Sequence, residues 1–148
     1  MQKCTLALGC FWKPEETFKS KAGIIETEVG YAGGLNERVT YEEVCNGNTG
    51  HAEVVRLTFN ENIISFKKII DLFFKMHDPT QKDMQYPDVG TQYRSEIFYE
   101  TDQQKQEAAK ILNEFNKKFD GKIQTNISKI KNYCKAEEYH QKYIEKNK

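Results

Sequence analysis

Hydrophobic positions along the chain switch between two periods. Leu6 and Leu8 alternate with Thr5 and Ala7 after Cys4, which predicts a strand over 4–8, and residues 13–21 read as a helix with Pro14 in its first turn, where a missing N–H does no harm. A second strand is expected over 24–29, ended by Gly30-Tyr31-Ala32-Gly33-Gly34. A long polar loop over about 35–52 follows, too rich in specific groups to be a linker. Val55, Leu57 and Phe59 then alternate with Arg56 and Thr58, so a half-buried strand begins near Glu53. Ser65 can cap a helix whose broad apolar face holds Phe66, Ile69, Ile70, Phe73 and Phe74, and His77-Asp78-Pro79 stops it. A second loop over 80–92 leads into a strand over 93–99. Thr101-x-x-Gln104 has the form of a capping box and opens a helix that continues through Ala108, Ile111, Leu112 and Phe115. A last strand over 123–130 and a final helix over 136–146 complete the reading.

This order of elements predicts an α+β fold in which helices cover one face of a mixed sheet. The 148 residues fit one domain, 1–148, able to bury a core without disulfide or metal support. Twenty-two basic residues balance 22 acidic ones, and no run of either sign forms a stripe, so neither nucleic acid nor anionic lipid is an expected partner. No apolar run approaches the roughly 20 residues of a membrane span and no signal peptide is recognisable, so a cytoplasmic location is expected. Cys4, Cys10, Cys45 and Cys134 contain no C-x-x-C and no close Cys/His set. Free thiols are expected rather than disulfides, and no metal site.

Gly9-Cys10-Phe11-Trp12 places a thiol at a strand-to-helix junction beside two aromatic rings. Unpaired N–H groups in the first turn of a helix favour a thiolate, which would lower the Cys10 pKa below the ~8.5 of a free thiol. Two adjacent large aromatics at a tight junction also leave one ring free to line a pocket. On residue type alone, a buried structural cysteine stands as the alternative. Tyr41, Glu53, Asp88 and Tyr93 also fall at strand ends or in loops, where polar groups of this kind serve as solvated charges or rim residues as readily as chemistry.

Seven motifs in order, Gly9-Cys10-Phe11-Trp12, Gly30-Tyr31-Ala32-Gly33-Gly34, Thr40-Tyr41-x-x-Val44-Cys45, Gly50-His51-Ala52-Glu53, His77-Asp78-Pro79-Thr80-Gln81, Asp88-x-Gly90-Thr91-Gln92-Tyr93-Arg94-Ser95 and Ala136-Glu137-Glu138-Tyr139-His140-Gln141, resemble the peptide methionine sulfoxide reductase A family over nearly the whole chain. The resemblance implies an open-faced two-layer α/β sandwich of ferredoxin-like plan and reduction of the S epimer of methionine sulfoxide, free or in proteins. It makes Cys10 the nucleophile and Glu53 the proton donor. Tyr41 and Tyr93 become hydrogen-bond donors to the sulfoxide oxygen, Asp88 a support on the polar side, and Phe11 and Trp12 the seat of the S-methyl group. The chemistry wants such groups, because a sulfoxide oxygen leaves poorly until it is protonated, and a glutamate near its usual ~4.3 holds no proton at neutral pH unless it is desolvated.

Attack would leave a sulfenic acid that another thiol must reduce. Many relatives carry a glycine-rich tail with resolving cysteines, which has no counterpart up to Lys148, so a one-cysteine cycle is expected. In that cycle an external thiol, from glutathione with glutaredoxin or from thioredoxin, reduces Cys10, and no cofactor stays bound. Cys134 is the candidate internal resolving thiol, Cys45 is expected to be packed, and Cys4 would need its strand to unravel across a span of about 20 Å. His51 and His140 receive no role as bases from the resemblance and are expected to be structural. Lys13 and Met84-Gln85-Tyr86 depart from the family's usual residues, glycine at the first and a basic, glycine-containing turn at the second. Two other readings, a Cys-His hydrolase and a reader of oxidised methionine without turnover, predict acyl-enzyme kinetics and binding without product, respectively.

Overall fold

The computed structural model describes residues 1–148. Its centre is a six-stranded mixed sheet built from β1 (Gln2–Leu8), β2 (Ile24–Ala32), β3 (Ala52–Phe59), β6 (Ser95–Tyr99), β7 (Asn126–Lys129) and β8 (Cys134–Lys135) in the order β7-β6-β1-β3-β2-β8. All neighbouring pairs are antiparallel except β6 with β7. A separate hairpin joins β4 (Met84–Gln85) to β5 (Asp88–Val89). Helix α1 (Trp12–Lys19) links β1 to β2, and α3 (Phe66–Met76) links β3 towards β6. The β6-β1-β3-β2 arrangement with these two helices is the ferredoxin-like plan, as the resemblance implied. Helix α4 (Asp102–Lys118) precedes β7, while α2 (Tyr41–Cys45) and α5 (Tyr143–Lys146) are short.

The period of two along each strand decides which face is packed. Leu6 and Leu8 of β1, Val29 and Tyr31 of β2, Val55, Leu57 and Phe59 of β3 and Ile97 of β6 join Phe18 of α1, Phe66 to Phe74 of α3 and Ile111 of α4 in one core. Glu53 lies in phase with Val55 and Leu57, so the strand that buries those apolar residues carries a carboxyl into the same layer. The other face is thinner, with Ala7, Ala32, Ala52, Val54 and Phe98 packed beneath Ile130 and Tyr133. Ser65 and Thr101 cap α3 and α4 as expected, accepting from Lys68 N–H and Gln104 N–H. No helix is long and apolar enough to cross a membrane.

Three elements differ from expectation. The long loop contains α2, started by a complete capping box between Thr40 and Glu43. The strand over 93–99 begins at Ser95, and Tyr93 sits in a 3-10 turn (Thr91–Tyr93). In place of the expected helix over 136–146 the chain forms a 3-10 turn (Glu138–His140) and the single turn α5, just after β8. Side chains take over there: the Gln141 amide pairs with both Val29 N–H and Val29 C=O and also donates to Ala136 C=O, and buried Glu15 accepts from Lys142 N–H and from Thr27 Oγ1.

Candidate active site

Gly9 makes the junction between β1 and α1 possible. Its φ of +96° suits glycine, and a Cβ there would stand 3.0 Å from the Gln85 side chain, so the hairpin closes directly over this turn. Cys10 follows, half-buried and free. Glu53 is 2 % exposed and accepts a hydrogen bond from Phe11 N–H at 3.2 Å, which joins the helix entrance to the start of β3. Cys10 feels the charges of Glu53 and Asp88, and Tyr93 feels those of Glu53, Cys45, Asp88 and Cys10. Tyr41 in turn lies within the field of Tyr93 and Glu53. The fold thus gathers Cys10, Tyr41, Glu53, Asp88 and Tyr93 from five separate segments.

Burial dominates the electrostatics. It pushes the Glu53 carboxyl up to about 8, with Asp88 adding to the rise and the Phe11 N–H opposing it, so Glu53 holds a proton at neutral pH. Cys10 is also raised, to about 11: burial outweighs its hydrogen bond to the Trp12 backbone, and Glu53 and Asp88 push in the same direction as burial. This corrects the expectation of a depressed thiol. The helix entrance acts as foreseen, but desolvation is larger. Tyr93 is raised to about 12, chiefly by burial, and Tyr41 is raised first by its hydrogen bond to Cys45. Both phenols therefore remain hydrogen-bond donors throughout the physiological range.

Aromatic rings form the other wall. Phe11 is 1 % exposed and packs against Tyr31 and His140, so it backs the site, while half-buried Trp12 stacks on Tyr143 with centroids 3.7 Å apart. His140 sits at the centre of this cluster, 4.6 Å from the Tyr41 ring. Its Nδ1 accepts from Trp12 Nε1–H at 3.1 Å, so the proton of the neutral ring is on Nε2, which is buried without a protein partner. Glu137 anchors the cluster by accepting from Tyr31 Oη–H and Tyr41 N–H. Burial raises Glu137, but these bonds outweigh it and hold the carboxyl below its usual range.

His140 holds the structural place expected of it, whereas Tyr143 and Glu137 were given no part, since a continuous helix over 136–146 would not have placed them here. The Thr40-x-x-Glu43 capping box was the overlooked signal for α2 and the position of Tyr41. His51 is elsewhere, its Nε2 bonded to Asn132 C=O and its ring so close to Gly34 that a Cβ there would meet Nδ1 at 2.0 Å. Cys134 lies on edge strand β8, paired with Tyr31, and its Sγ donates towards Val39 C=O at 3.6 Å. Cys45, expected to be packed, is exposed at the end of α2 beside Tyr41. Cys4 is buried in β1. No group of three or more His, Cys, Asp or Glu is arranged to hold a metal ion.

A carboxyl able to exchange a proton near neutrality beside a thiol, with two phenols as further donors, suits delivery of a proton to an oxygen while sulfur attacks the atom that bears it. Comparison with known proteins agrees with that chemistry. The family model described as peptide methionine sulfoxide reductase matches residues 2–148. Peptide methionine sulfoxide reductase MsrA of Pelagibacter ubique is 55% identical over 146 residues, covering 99% of this chain and 99% of the relative. The crystal structure of Mxr1 from Saccharomyces cerevisiae in reduced form superimposes with a TM-score of 0.95 at 42% identity, over 99% of this chain and 85% of that one. Mxr1 in complex with Trx2 matches with a TM-score of 0.69 at 30% identity, over 96% and 84% of the two chains.

Proposed function

The chain belongs to the peptide methionine sulfoxide reductase family, and on that premise we propose that it reduces the S epimer of methionine sulfoxide, protein-bound and free, through a sulfenic acid on Cys10. The observation that carries this reading is the buried Glu53 carboxyl, raised to about 8 and hydrogen-bonded to Phe11 N–H next to the Cys10 thiol, where it can pass one proton between sulfur and oxygen. The Cys10 sulfur attacks the sulfoxide sulfur while Glu53 delivers a proton to the oxygen and Tyr41 and Tyr93 donate hydrogen bonds to it. The oxygen passes to Cys10, so thiol and sulfoxide become sulfenic acid and methionine with no atom gained or lost. The S-methyl group lies against Trp12, with Phe11 behind it, and Asp88 supports the polar side. In the R epimer the oxygen and methyl exchange places, which leaves the Glu53 and tyrosine donors unpaired.

An external thiol returns Cys10 to its starting state. The neighbour solved with Trx2 supports a thioredoxin-class reductant, and glutathione with glutaredoxin is chemically equivalent at the sulfenic acid. Four free cysteines suit the reducing cytoplasm where such thiols are abundant. One equivalent of methionine S-sulfoxide without reductant tests the whole reading. One methionine should be released, and mass spectrometry should find a dimedone adduct on Cys10. Release of methionine with a disulfide in place of that adduct would remove the sulfenic acid as the stable product, and no release would remove the reductase.

A further inference from the structure

Cys10 borders two regions. One is the cluster of Trp12, Tyr41, Glu53 and Tyr93, none of which lines the other. In the other, Cys10 opens into a cleft of about 650 Å³ between α1, the end of α3 and the β4–β5 hairpin. That volume is in the range of small-ligand sites, and of the groups assigned to sulfoxide reduction only Cys10 and Asp88 line it. Lys13 of α1 and Lys75 of α3 stand on different walls. Neither is paired with a carboxylate, so both ammonium groups are free to meet a ligand's carboxylates. Asp88 supplies one opposite charge from the hairpin.

We propose that the cleft binds the small thiol that regenerates Cys10, a tripeptide thiol of the glutathione class; this rests on the sulfenic acid cycle proposed above. Glutathione carries two carboxylates and one ammonium around a central thiol, and the cleft offers two ammonium groups and one carboxylate around Cys10. An acidic polypeptide segment would suit the lysines but leave Asp88 without a partner. The glutathione sulfur attacks the Cys10 sulfenic sulfur, the S–S bond forms as the S–O bond breaks, and hydroxide leaves with the thiol proton as water. A second thiol, glutathione or the dithiol of glutaredoxin, then attacks the glutathione sulfur. Cys10 is released as a thiolate, its sulfur reduced and the two attacking sulfurs oxidised to a disulfide.

Two measurements test this. The first is the decay of the dimedone-reactive Cys10 sulfenic acid with glutathione and, separately, with 2-mercaptoethanol. The ratio of the two rates should favour glutathione and fall up to about fivefold in Lys13→Gln or Lys75→Gln, and by roughly tenfold in the double variant, with a similar collapse in 1 M salt. An unchanged ratio in the double variant overturns the assignment. So does an unchanged ratio combined with a raised KM for a methionine sulfoxide peptide flanked by aspartates, because the cleft would then hold the substrate's chain. The second is calorimetric binding of S-methylglutathione to the reduced protein, which needs no turnover and so reads the cleft apart from the catalytic proposal. Binding to the wild type that is lost in the double variant is expected, and absence of wild-type binding overturns the inference even if methionine is released normally.

Discussion

The proton shared by Cys10 and Glu53 makes the pH dependence of the first turnover a sharp test. Attack needs the sulfur without its proton, and the departing oxygen needs one, so the reacting pair carries one proton in total. Burial holds Glu53 at about 8 and Cys10 at about 11. Below about pH 8 the pair carries two protons, and between the two values it carries one, mostly as thiol and carboxylate. In that form Glu53 can take the thiol proton as the sulfur closes on its target and return it to the oxygen. At pH 7 roughly a tenth of the molecules, and at pH 6 roughly a hundredth, carry the single proton. Accordingly kcat/KM should rise about tenfold per pH unit towards 8 and then level. Glu53→Gln removes the relay, so the rate should fall about 10²–10⁴-fold and the bend near pH 8 should vanish. Rapid-quench measurement of methionine released from methionine S-sulfoxide between pH 5.5 and 10, without reductant, supplies both profiles. A wild-type rate that declines as pH rises through 8 would refute the shared-proton argument, since the doubly protonated pair would then be the reactive form. A Glu53→Gln protein at full rate would remove Glu53 from the chemistry.

Other expectations are as direct. Since Glu53 ionises near 4.3 when unfolded and about 8 when folded, its contribution to folding stability is fully present at low pH and is lost as pH rises from about 4 to 8, by roughly 5 kcal/mol in total. Glu53→Gln lacks that loss, so calorimetry should find it melting above the wild type at pH 9 but not at pH 4; a lower melting point at pH 9 would contradict the burial account. The separated R epimer should react at least about a hundredfold more slowly than the S epimer, and equal rates would end the two-wall picture. Tyr143→Ala removes the ring stacked on Trp12 and should raise KM several-fold, the weight of an aromatic pair of about 0.5–1.5 kcal/mol, with less effect on kcat; an unchanged KM would show that Trp12 needs no such support. Cys134→Ser should leave multiple turnover with excess dithiol unchanged, and a Cys10–Cys134 disulfide after one turnover of the wild type would reverse that expectation.

The strands and long helices were legible because burial repeats with the period of each element. Val55, Leu57 and Phe59 announce β3, and Ile69, Ile70, Phe73 and Phe74 announce α3. Helix α2 offered little apolar rhythm, with Val44 its one buried residue, so only its capping box betrayed it. The segment after Ala136 misled for a different reason. Its composition suits a helix, yet Lys142 N–H is claimed by Glu15 and the Gln141 side chain is drawn onto the Val29 backbone, contacts of high sequence separation that no local window contains.

The same division runs through the site. Motifs and resemblance named the groups, whereas their protonation depended on how deeply the fold sets them. A helix entrance beside a cysteine argued for a low thiol pKa, and that interaction is present at Trp12 N–H, but the entrance is roofed by the hairpin and faced by Glu53 and Asp88. Desolvation therefore reverses the sign. The consequence is mechanistic: a thiol that is not ionised beforehand needs a base at the moment of attack, and Glu53, in the fraction of molecules where it has lost its proton, is placed to serve as that base and then as the acid. Raising both groups by the same burial keeps one proton on the pair across a wide alkaline range, which neither the Gly9-Cys10-Phe11-Trp12 motif nor the position of Glu53 at a strand mouth could have revealed alone.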